Sequence, residues 1–449
     1  MDKRTREELL SENARLVSES AELKAKLSAL EAEVEMLRSM ISGGGKGSSA
    51  TPFVKPNRRE RREAERTQRK KRKLSCGRKR EIPTEVVEHR LDKCPECGRK
   101  LSGGWAHSRR QVIEIPESPV RVIEHVVIAG WCGACGKRHI PKLDLSGEAL
   151  GNSRFGVRLM SLVADMATNC RMPHRTIQRI MKGLHGLTIS LGEISEILHK
   201  VAERGRGIYI DLLGQIRGSP MVNADETGWR EDGVNGYIWS FSTPEVRYLA
   251  RDKSRASKVV TEILGEEFAG VLVSDFYGAY NAYEGVKQRC WAHLLRDMKA
   301  LREKHPENES VSEWVGRVKS IYEEAKEAAS GNHDQMRRRR LRQWFEARLL
   351  RLALPYRDDK KSPQRVLAKR IDGFLGELFS FVDCEGVPSD NNAAERAVRP
   401  AVIARKVSGG TRSTKGSNTR MILMSLFGTW NLKGLDPLTT CKAMLTASA

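Results

Sequence analysis

The sequence predicts a multidomain α+β protein, on three observations. A leucine recurs at every seventh position over residues 9–37, apolar positions repeat at helical spacing over 156–216, and after Pro220 the pattern switches to the alternation of strands. At 449 residues the chain exceeds what one compact core holds. A net charge of +22 and a pI near 9.7 point to a polyanionic partner. Nucleic acid fits better than a lipid surface, because there is no run of about 18 apolar residues and no basic-then-apolar leader. The same absence predicts a cytoplasmic, nucleoid-associated protein without membrane contact. Nine cysteines, four of them in two Cys-x-x-Cys pairs, suit a reducing compartment where thiolates bind metal.

Taken in order, Leu9, Leu16, Leu23, Leu30 and Leu37 hold position d of a heptad whose a positions are Asn13, Ser20, Leu27, Val34 and Ile41. Leucine at d with β-branched residues at a favours a parallel dimer, and a polar a position sets register. The reading over 1–42 is a coiled coil that makes the protein a homodimer or higher oligomer; the alternative is a helix packed on its own chain. Gly43-Gly44-Gly45 ends it. Within 43–85, the stretch Lys55–Glu81 holds fourteen Lys or Arg against four Glu, a net of +10. A linker needs polarity but not a single sign of charge, so this reads as an arm along DNA phosphates, with Arg69, Lys70, Lys71, Arg72 and Lys73 among its contacts.

The segment 86–145 contains two knuckle-like turns, Cys94-Pro95-Glu96-Cys97-Gly98 and Cys132-Gly133-Ala134-Cys135-Gly136. Gln111–Ile115 and Val120–Ile128 read as β-strands, so a hairpin could bring Cys94, Cys97, Cys132 and Cys135 into one tetrahedral, structural zinc site. His107, His125 and His139 read as surface histidines, with substitute zinc ligands as the alternative. Four protein ligands leave no position for a catalytic water. Residues 150–216 read as successive helices, one of them started by Pro173. Arg175, Arg179 and Lys182 lie close to one face of it, as in a helix-turn-helix-like unit or a plain helical spacer.

Beyond Pro220, Met221–Ala224 runs as a strand into Asp225. Tyr237–Ser242 and Val246–Leu249 are two more strands, with Gly233 and Asn235-Gly236 at the turn before them. A helix follows at Lys258–Leu264, then a buried-looking strand, Gly270–Val273, that runs into Ser274-Asp275. A third acid, Glu395, sits in the stretch Ser389–Pro400 among amides, alanines and arginines. Ser389 or Asp390 is the expected helix N-cap, and Pro400 the expected end or kink. On that helix Asn391, Glu395 and Arg399 stand at four-residue spacing, as a row facing a site or as a solvated face with an ordinary Glu-Arg pair. Three antiparallel strands, a helix and a strand ending in an acid match a ribonuclease-H-like α/β domain, read over 217–290 and 382–435. Two acids at strand ends and a third on a later helix make the oxygen cluster that two Mg2+ or Mn2+ ions need.

Four ordered motifs carry a resemblance. They are Asn223-Ala224-Asp225-Glu226-Thr227-Gly228-Trp229, Ser274-Asp275-Phe276-Tyr277-Gly278-Ala279-Tyr280, Cys290-Trp291-Ala292-His293-Leu294-Leu295-Arg296-Asp297, and the stretch from Asp390 to Pro400. Together they resemble the transposases of bacterial insertion-sequence family sixty-six, a branch of the DDE superfamily, over nearly the whole chain. The resemblance implies Asp225, Asp275 and Glu395 as the catalytic, magnesium-binding triad. Glu226 is a rival for the first place, but strand alternation puts it on the opposite face. It also implies that Cys290 and His293 frame the insertion near the active site, and that small accessory proteins encoded by the element assist.

Residues 291–381 are mostly helical in pattern and read as a helical insertion in the catalytic domain. Arg337–Arg340, Arg342, Arg348 and Arg351 make a second basic surface there, or a solvated helix. The basic, glycine-rich stretch Arg405–Gly416 suits phosphate contact, although it departs from commoner family versions and lacks the ending of a P-loop. Further DNA contacts are expected from His293, Arg296, Arg396, Arg399, Arg405, Lys406, Arg412 and Lys415. The activity implied is metal-dependent cleavage of transposon-end DNA followed by attack of the freed 3'-hydroxyl on target DNA. A catalytically silent DNA-binding regulator and a ribonuclease-H-like nuclease without strand transfer are the alternatives. A Tyr or Ser recombinase fits poorly, because the motifs hold acids and no nucleophile with an Arg/His cluster.

Overall fold

Residues 82–447, Gly104 and Pro116 excepted, are described in a computed structural model of the chain. The heptad segment 1–42 and the run Arg69–Lys73 lie outside the described residues. The chain divides after Glu114 into two units. In the first, the Cys94 turn closes through Gly98 N–H donating to the Cys94 carbonyl at 2.9 Å and Cys94 N–H donating to the Arg99 carbonyl at 2.8 Å.

The second unit opens on the other knuckle. Strands β1 (Gly130–Cys132) and β2 (Lys137–His139) form a hairpin around it, with Gly136 N–H donating to the Cys132 carbonyl at 2.9 Å. Gly98 (φ +72°) and Gly136 (φ +60°) both take the left-handed conformation that the turn needs and that a side chain disfavours. The expected strands at Gln111–Ile115 and Val120–Ile128 are corrected: among the described residues neither run is part of a sheet. β-Branched residues favour strands when a pleated surface is half buried, and here Ile113 and Val122 stand exposed to solvent.

Four helices follow, α1 (Val157–Thr168), α2 (His174–His185), α3 (Leu191–Arg204) and α4 (Arg206–Arg217). Pro173 caps α2, and Ser190 with Glu193 forms a reciprocal capping box on α3. Ile177 and Met181 bury one face of α2, which leaves Arg175, Arg179 and Lys182 exposed on the other.

Strands β3 (Met221–Glu231), β4 (Val234–Ser242) and β5 (Arg247–Asp252) come next, then α5 (Lys258–Leu264), β6 (Val271–Ser274), a 3-10 turn at Gly278–Ala282, and β7 (Lys287–Arg289). They build one five-stranded sheet in the order β5-β4-β3-β6-β7, in which β3–β4–β5 is antiparallel and β6 and β7 run parallel to β3. Asp225 does not end its strand as expected. β3 pairs with β6 only as far as Asn223↔Val273, while its ladder with β4 continues to Glu231↔Val234. The acid therefore lies just past the point where the parallel ladder stops. Asp275 directly follows β6, as expected.

Helices α6 (Trp291–Lys304), α7 (Glu309–Ser330), α8 (Gln335–Arg357), α9 (Arg365–Gly373), α10 (Leu375–Leu378) and α11 (Ser380–Asp383) fill the interval between the second and third acids. Trp291, Trp314, Phe345 and Phe379 centre a core that also includes Val271 and Val273 of β6. The chain ends with α12 (Asn392–Ser408), α13 (Thr414–Leu432) and α14 (Pro437–Thr446). Pro400 lies inside α12 and does not end it. Ala394, Ala397, Val398, Ala401 and Ala404 are buried along that helix, and its packing on β3 and β4 holds it through the missing backbone donor. α13 is buried without interruption from Met421 to Trp430, the pattern of a central helix, and packs on β5, α1 and α3.

Candidate active site

Alternation along β3 sorts its side chains. Asn223, Asp225, Thr227, Trp229 and Glu231 share one face, and partners from the last part of the chain meet them there. Asn223 Nδ2 donates to Asn391 Oδ1 at 2.9 Å, Arg405 donates to Thr227 Oγ1 at 3.2 Å, Trp229 Nε1 donates to Thr411 Oγ1 at 3.1 Å, and Thr414 and Ser417 donate to Glu231 at 2.8 and 2.5 Å. Glu226 goes to the other face, as alternation requires. Its carboxylate is nearly buried, at 3% exposure, and accepts from Arg255 at 2.6 Å and from the Tyr280 hydroxyl at 2.5 Å.

The third acid is brought to the first by Asn391. This buried N-cap residue of α12 donates its side-chain amide to the Ala224 carbonyl at 2.7 Å, accepts from Asn223, and gives its backbone N–H to Cys290 Sγ at 3.1 Å. Asp390, the expected cap, accepts instead from Asn392 N–H at 3.0 Å. Cys290, at the start of α6, donates its own N–H to the Ser274 carbonyl, one residue before Asp275, at 2.9 Å. One residue pair, Cys290 and Asn391, thus ties the helix that carries Glu395 to β3 beside Asp225 and to the end of β6 beside Asp275. Asp275 is oriented locally, its Oδ1 accepting from Tyr277 N–H at 2.8 Å.

The electrostatics follow from this convergence. Burial first, then the charge of Glu226, then Asp275 and Glu395, push the Asp225 carboxyl from 3.8 up to about 7, against one opposing hydrogen bond from Glu226 N–H. Glu395 is 40% exposed and has His293 Nε2 and an Arg296 guanidinium nitrogen each at 3.7 Å. His293 Nδ1 is buried with no hydrogen-bond partner among the described residues. Burial and Glu226 do most to keep Asp225 from ionising, with Asp275 and Glu395 adding to it, and the carboxylate oxygens of the three acids are of the donor type that Mg2+ or Mn2+ takes. Among the described residues, the ligand-type atoms that all lie within 4.8 Å of one another are those of Cys132, Cys135 and His139, so the three acids are spread more widely than that.

Residues 152–419 match the family model described as "Transposase IS66 family". The chain belongs to the IS66 transposase family. It is 26% identical over 283 residues to the uncharacterized protein y4jD of Sinorhizobium fredii, covering 56% of this chain and 55% of that one. To the uncharacterized protein y4jO of the same organism it is 29% identical over 230 residues, covering 50% and 67%. The chain spans about half to two thirds of the length of these curated relatives.

Within this family member, the residues expected to meet DNA divide into two sets. Arg296, Arg396, Arg399, Lys406, Arg412 and Lys415 are exposed. Arg405 is half-buried and engaged with Thr227 and the Gly228 carbonyl, so it fastens α12 to β3. The glycine-rich stretch is likewise fixed to the sheet: Thr411 N–H donates to the Arg230 carbonyl at 2.9 Å, and Asp232 N–H donates to the Thr411 carbonyl at 2.8 Å. Gly410 has φ +123°, and a Cβ there would run into the Arg230 carbonyl oxygen, so close approach of two backbones explains this glycine. Of the expected basic surface on α8, Arg338 is buried and caps the end of α7 through the Ala329 and Gly331 carbonyls, Arg342 pairs with Glu346 and Asp383, and Arg348 pairs with Glu324. Arg337, Arg339, Arg340 and Arg351 remain exposed.

In the cysteine turns, backbone N–H groups of Cys97 and Glu96 lower the Cys94 thiol pKa, and those of Cys135 and Ala134 lower that of Cys132. Both turns are preset to hold thiolate. His139, read as a surface histidine or a substitute ligand, places Nε2 at 3.2 Å from Cys135 Sγ. His125 lies 3.6 Å from Glu148. No described helix is long and apolar enough to cross a membrane. Sequence reasoning missed Asn223, Cys290 and Asn391 as a clamp and Glu226–Arg255–Tyr280 as a buried network. The one signal available was an amide on each side of the gap, beside Asp225 and beside Glu395.

Proposed function

We propose that the chain is a DDE transposase that cuts transposon-end DNA and joins the freed 3'-hydroxyl to target DNA. The observation that carries this reading is the placement of the three acids: Asp225 on β3 just past the end of its ladder with β6, Asp275 directly after β6, and Glu395 on the helix that Asn391 ties to the Ala224 carbonyl. A structural role does not account for three acids brought together at a shared edge, because like charges oppose one another there. Asp225, Asp275 and Glu395 would hold Mg2+ or Mn2+, whose hard-cation chemistry takes carboxylate oxygens. Such ions supply Lewis-acid stabilisation of the charge that develops on the phosphate oxygens.

The protein's own groups do the rest. Asp225 presents its oxygens from a rigid strand, Tyr277 N–H fixes the direction of Asp275, and His293 and Arg296 hold Glu395 while offsetting its charge. Arg396, Arg399, Lys406, Arg412 and Lys415 would steady the backbone of the bound strand. The domain layout belongs to the same proposal: a dimerising coiled coil over 1–42, a basic arm over 43–85, a zinc module over 86–145 held by Cys94, Cys97, Cys132 and Cys135, a helical DNA-binding region over 150–216, and a ribonuclease-H-like domain over 217–290 and 382–435 with its insertion over 291–381. Accessory proteins of the element would complete the partners.

The test uses labelled oligonucleotides carrying the element's ends, in Mg2+, with a gel shift on the same DNA. Asp225→Asn, Asp275→Asn and Glu395→Gln should each lose at least about a hundredfold in nicking and joining, since each removes an ion ligand, while DNA retention stays within about twofold. Cleavage at the wild-type level by any of the three would overturn the triad. Nicking without joining by the wild type would favour a nuclease.

A further inference from the structure

Glu226, on the face of β3 opposite Asp225, holds an arginine from the loop between β5 and α5. Arg255 Nε and Nη2 both donate to Glu226 Oε1, at 3.1 and 2.6 Å. The guanidinium carbon lies 3.9 Å from the centre of the Tyr277 ring and 5.7 Å from that of Tyr237. The Tyr277 hydroxyl donates to the Arg255 carbonyl at 2.8 Å, and the Tyr280 ring stands across the Tyr277 ring at 83°, centroids 6.2 Å apart. The loop itself is fastened just before Arg255: Trp239 Nε1 donates to the Ser254 carbonyl at 3.3 Å, and Ser254 N–H donates to Asp252 Oδ1 at 2.6 Å. Yet the Arg255 side chain is 45% exposed, whereas the Glu226 side chain that holds it is 3% exposed.

Burying a carboxylate is unfavourable, and an ion pair with an exposed cation does little to offset it. What the arrangement does achieve is to fix the direction of a flat, exposed group. Glu226 occupies the hydrogen-bonding edge of the guanidinium and offsets its charge, so a phosphate gains little there. With Tyr277 beneath, an incoming group reaches the outer face of the plane. Nucleobases stack on guanidinium and aromatic planes with little regard to sequence. Position points to the same ligand. The N–H of Tyr277 is the group that holds Asp275 Oδ1 at 2.8 Å, so the stack begins two residues from one of the three acids.

We infer that Arg255, stacked on Tyr277, is a platform for one base of the bound DNA strand that has left its duplex stack beside the cut. The inference rests on the DNA cleavage proposed above. It adds that the strand is gripped next to Asp275 by a base, whereas the exposed cations of α12 and α13 would take phosphates.

The full-length protein tests it through affinity for transposon-end DNA, measured by fluorescence anisotropy in metal-free buffer so that nothing is cut. The DNA is used intact and with one base at a time removed near the cut phosphate. At one position, removing the base should weaken wild-type binding about tenfold, and Arg255→Met should weaken binding to intact DNA about as much. The two losses should not add, because each removes the same contact. Arg255→Lys, which keeps the charge without the plane, should behave as Arg255→Met does, and neither should change the slope of log affinity against log salt. Losses that add at every position would make Arg255 a residue of the fold, and the inference fails. Wild-type affinity in Arg255→Lys, with a slope flattened by about 0.9 in Arg255→Met, would mean a phosphate contact and overturn the base assignment. Should Arg255→Met not fold because Glu226 is left buried and unpaired, Arg255→Met with Glu226→Gln removes both charges and gives the same readout. A wild type that shows the coupling but never cleaves in Mg2+ would sink the transposase reading alone. One that binds without the coupling would sink this inference alone.

Discussion

Replacing Asp225 by Asn should stabilise the Mg2+-free protein while abolishing cleavage, and the size of the effect can be worked from the site. In the folded chain the Asp225 carboxyl is held up to about 7, compared with 3.8 for an ordinary aspartate. Between those two values the folded protein keeps a proton that the unfolded chain has lost. Stability therefore falls as pH rises through that window, and the penalty is complete above about pH 7. About three pH units at about 1.36 kcal/mol each give about 4 kcal/mol as the upper figure, because the acids titrate as a coupled set. Asparagine cannot ionise, and its Oδ1 can still accept the hydrogen bond from Glu226 N–H that Asp225 now accepts at 2.9 Å. The assay is urea unfolding in Mg2+-free buffer at pH 5 and pH 8. Asp225→Asn should be the more stable at both, by about 1.6 kcal/mol at pH 5, about 1.2 pH units into the window, and by up to about 4 kcal/mol at pH 8. Adding Mg2+ at pH 8 should raise the wild-type midpoint and leave that of the variant almost unmoved. A variant less stable than wild type at pH 8, or a gap that does not depend on pH, would refute the account of the site as crowded carboxylates awaiting a cation.

Two further outcomes are expected. Glu226→Gln should act on the fold: the carboxylate that holds Arg255 and Tyr280 is nearly buried, so its loss should cost about 1–3 kcal/mol in urea unfolding, while cleavage at saturating Mg2+ stays within about tenfold of wild type. Cys94→Ser with Cys97→Ser should lower zinc from about one per chain to well below that in elemental analysis of purified protein, and unchanged zinc content would place the metal elsewhere, with Cys132, Cys135 and His139 the first candidates.

The sequence was most legible where one local signal sufficed. Pro173 marks the start of α2, Lys258–Leu264 is the helix at the expected bounds, and Asp275 follows a short apolar strand that nothing else resembles. Legibility failed where partners lie far apart in the chain. β7 is three polar residues, Lys287–Arg289, and is a strand only because β6 lies beside it; its Arg289 is buried by Glu377, a helical residue 88 positions away. Pro400 reads as a helix end until the sheet beneath α12 is known, since tertiary packing overrides the local penalty. Asn391 reads as an ordinary amide until Asn223, 168 positions earlier, is found across from it. The valines and isoleucines of 111–128 carry strand propensity without a surface that would use it.

The charge of the chain also reads differently once partners are known. A formal +22 overstates what is available to DNA, because several arginines are engaged within the fold: Arg289 with Glu377, Arg338 with backbone carbonyls, Arg342 with Glu346 and Asp383, and Arg405 with β3. Exposed cations remain beside Glu395, in Arg296, and along α12 and into the start of α13, in Arg396, Arg399, Lys406, Arg412 and Lys415. These helices are the same ones that carry Glu395 and fasten to β3. Phosphate contacts made there would orient DNA on the elements that position the three acids of the proposed site, so a strand held by these residues would meet the acid edge without any loop having to close over it.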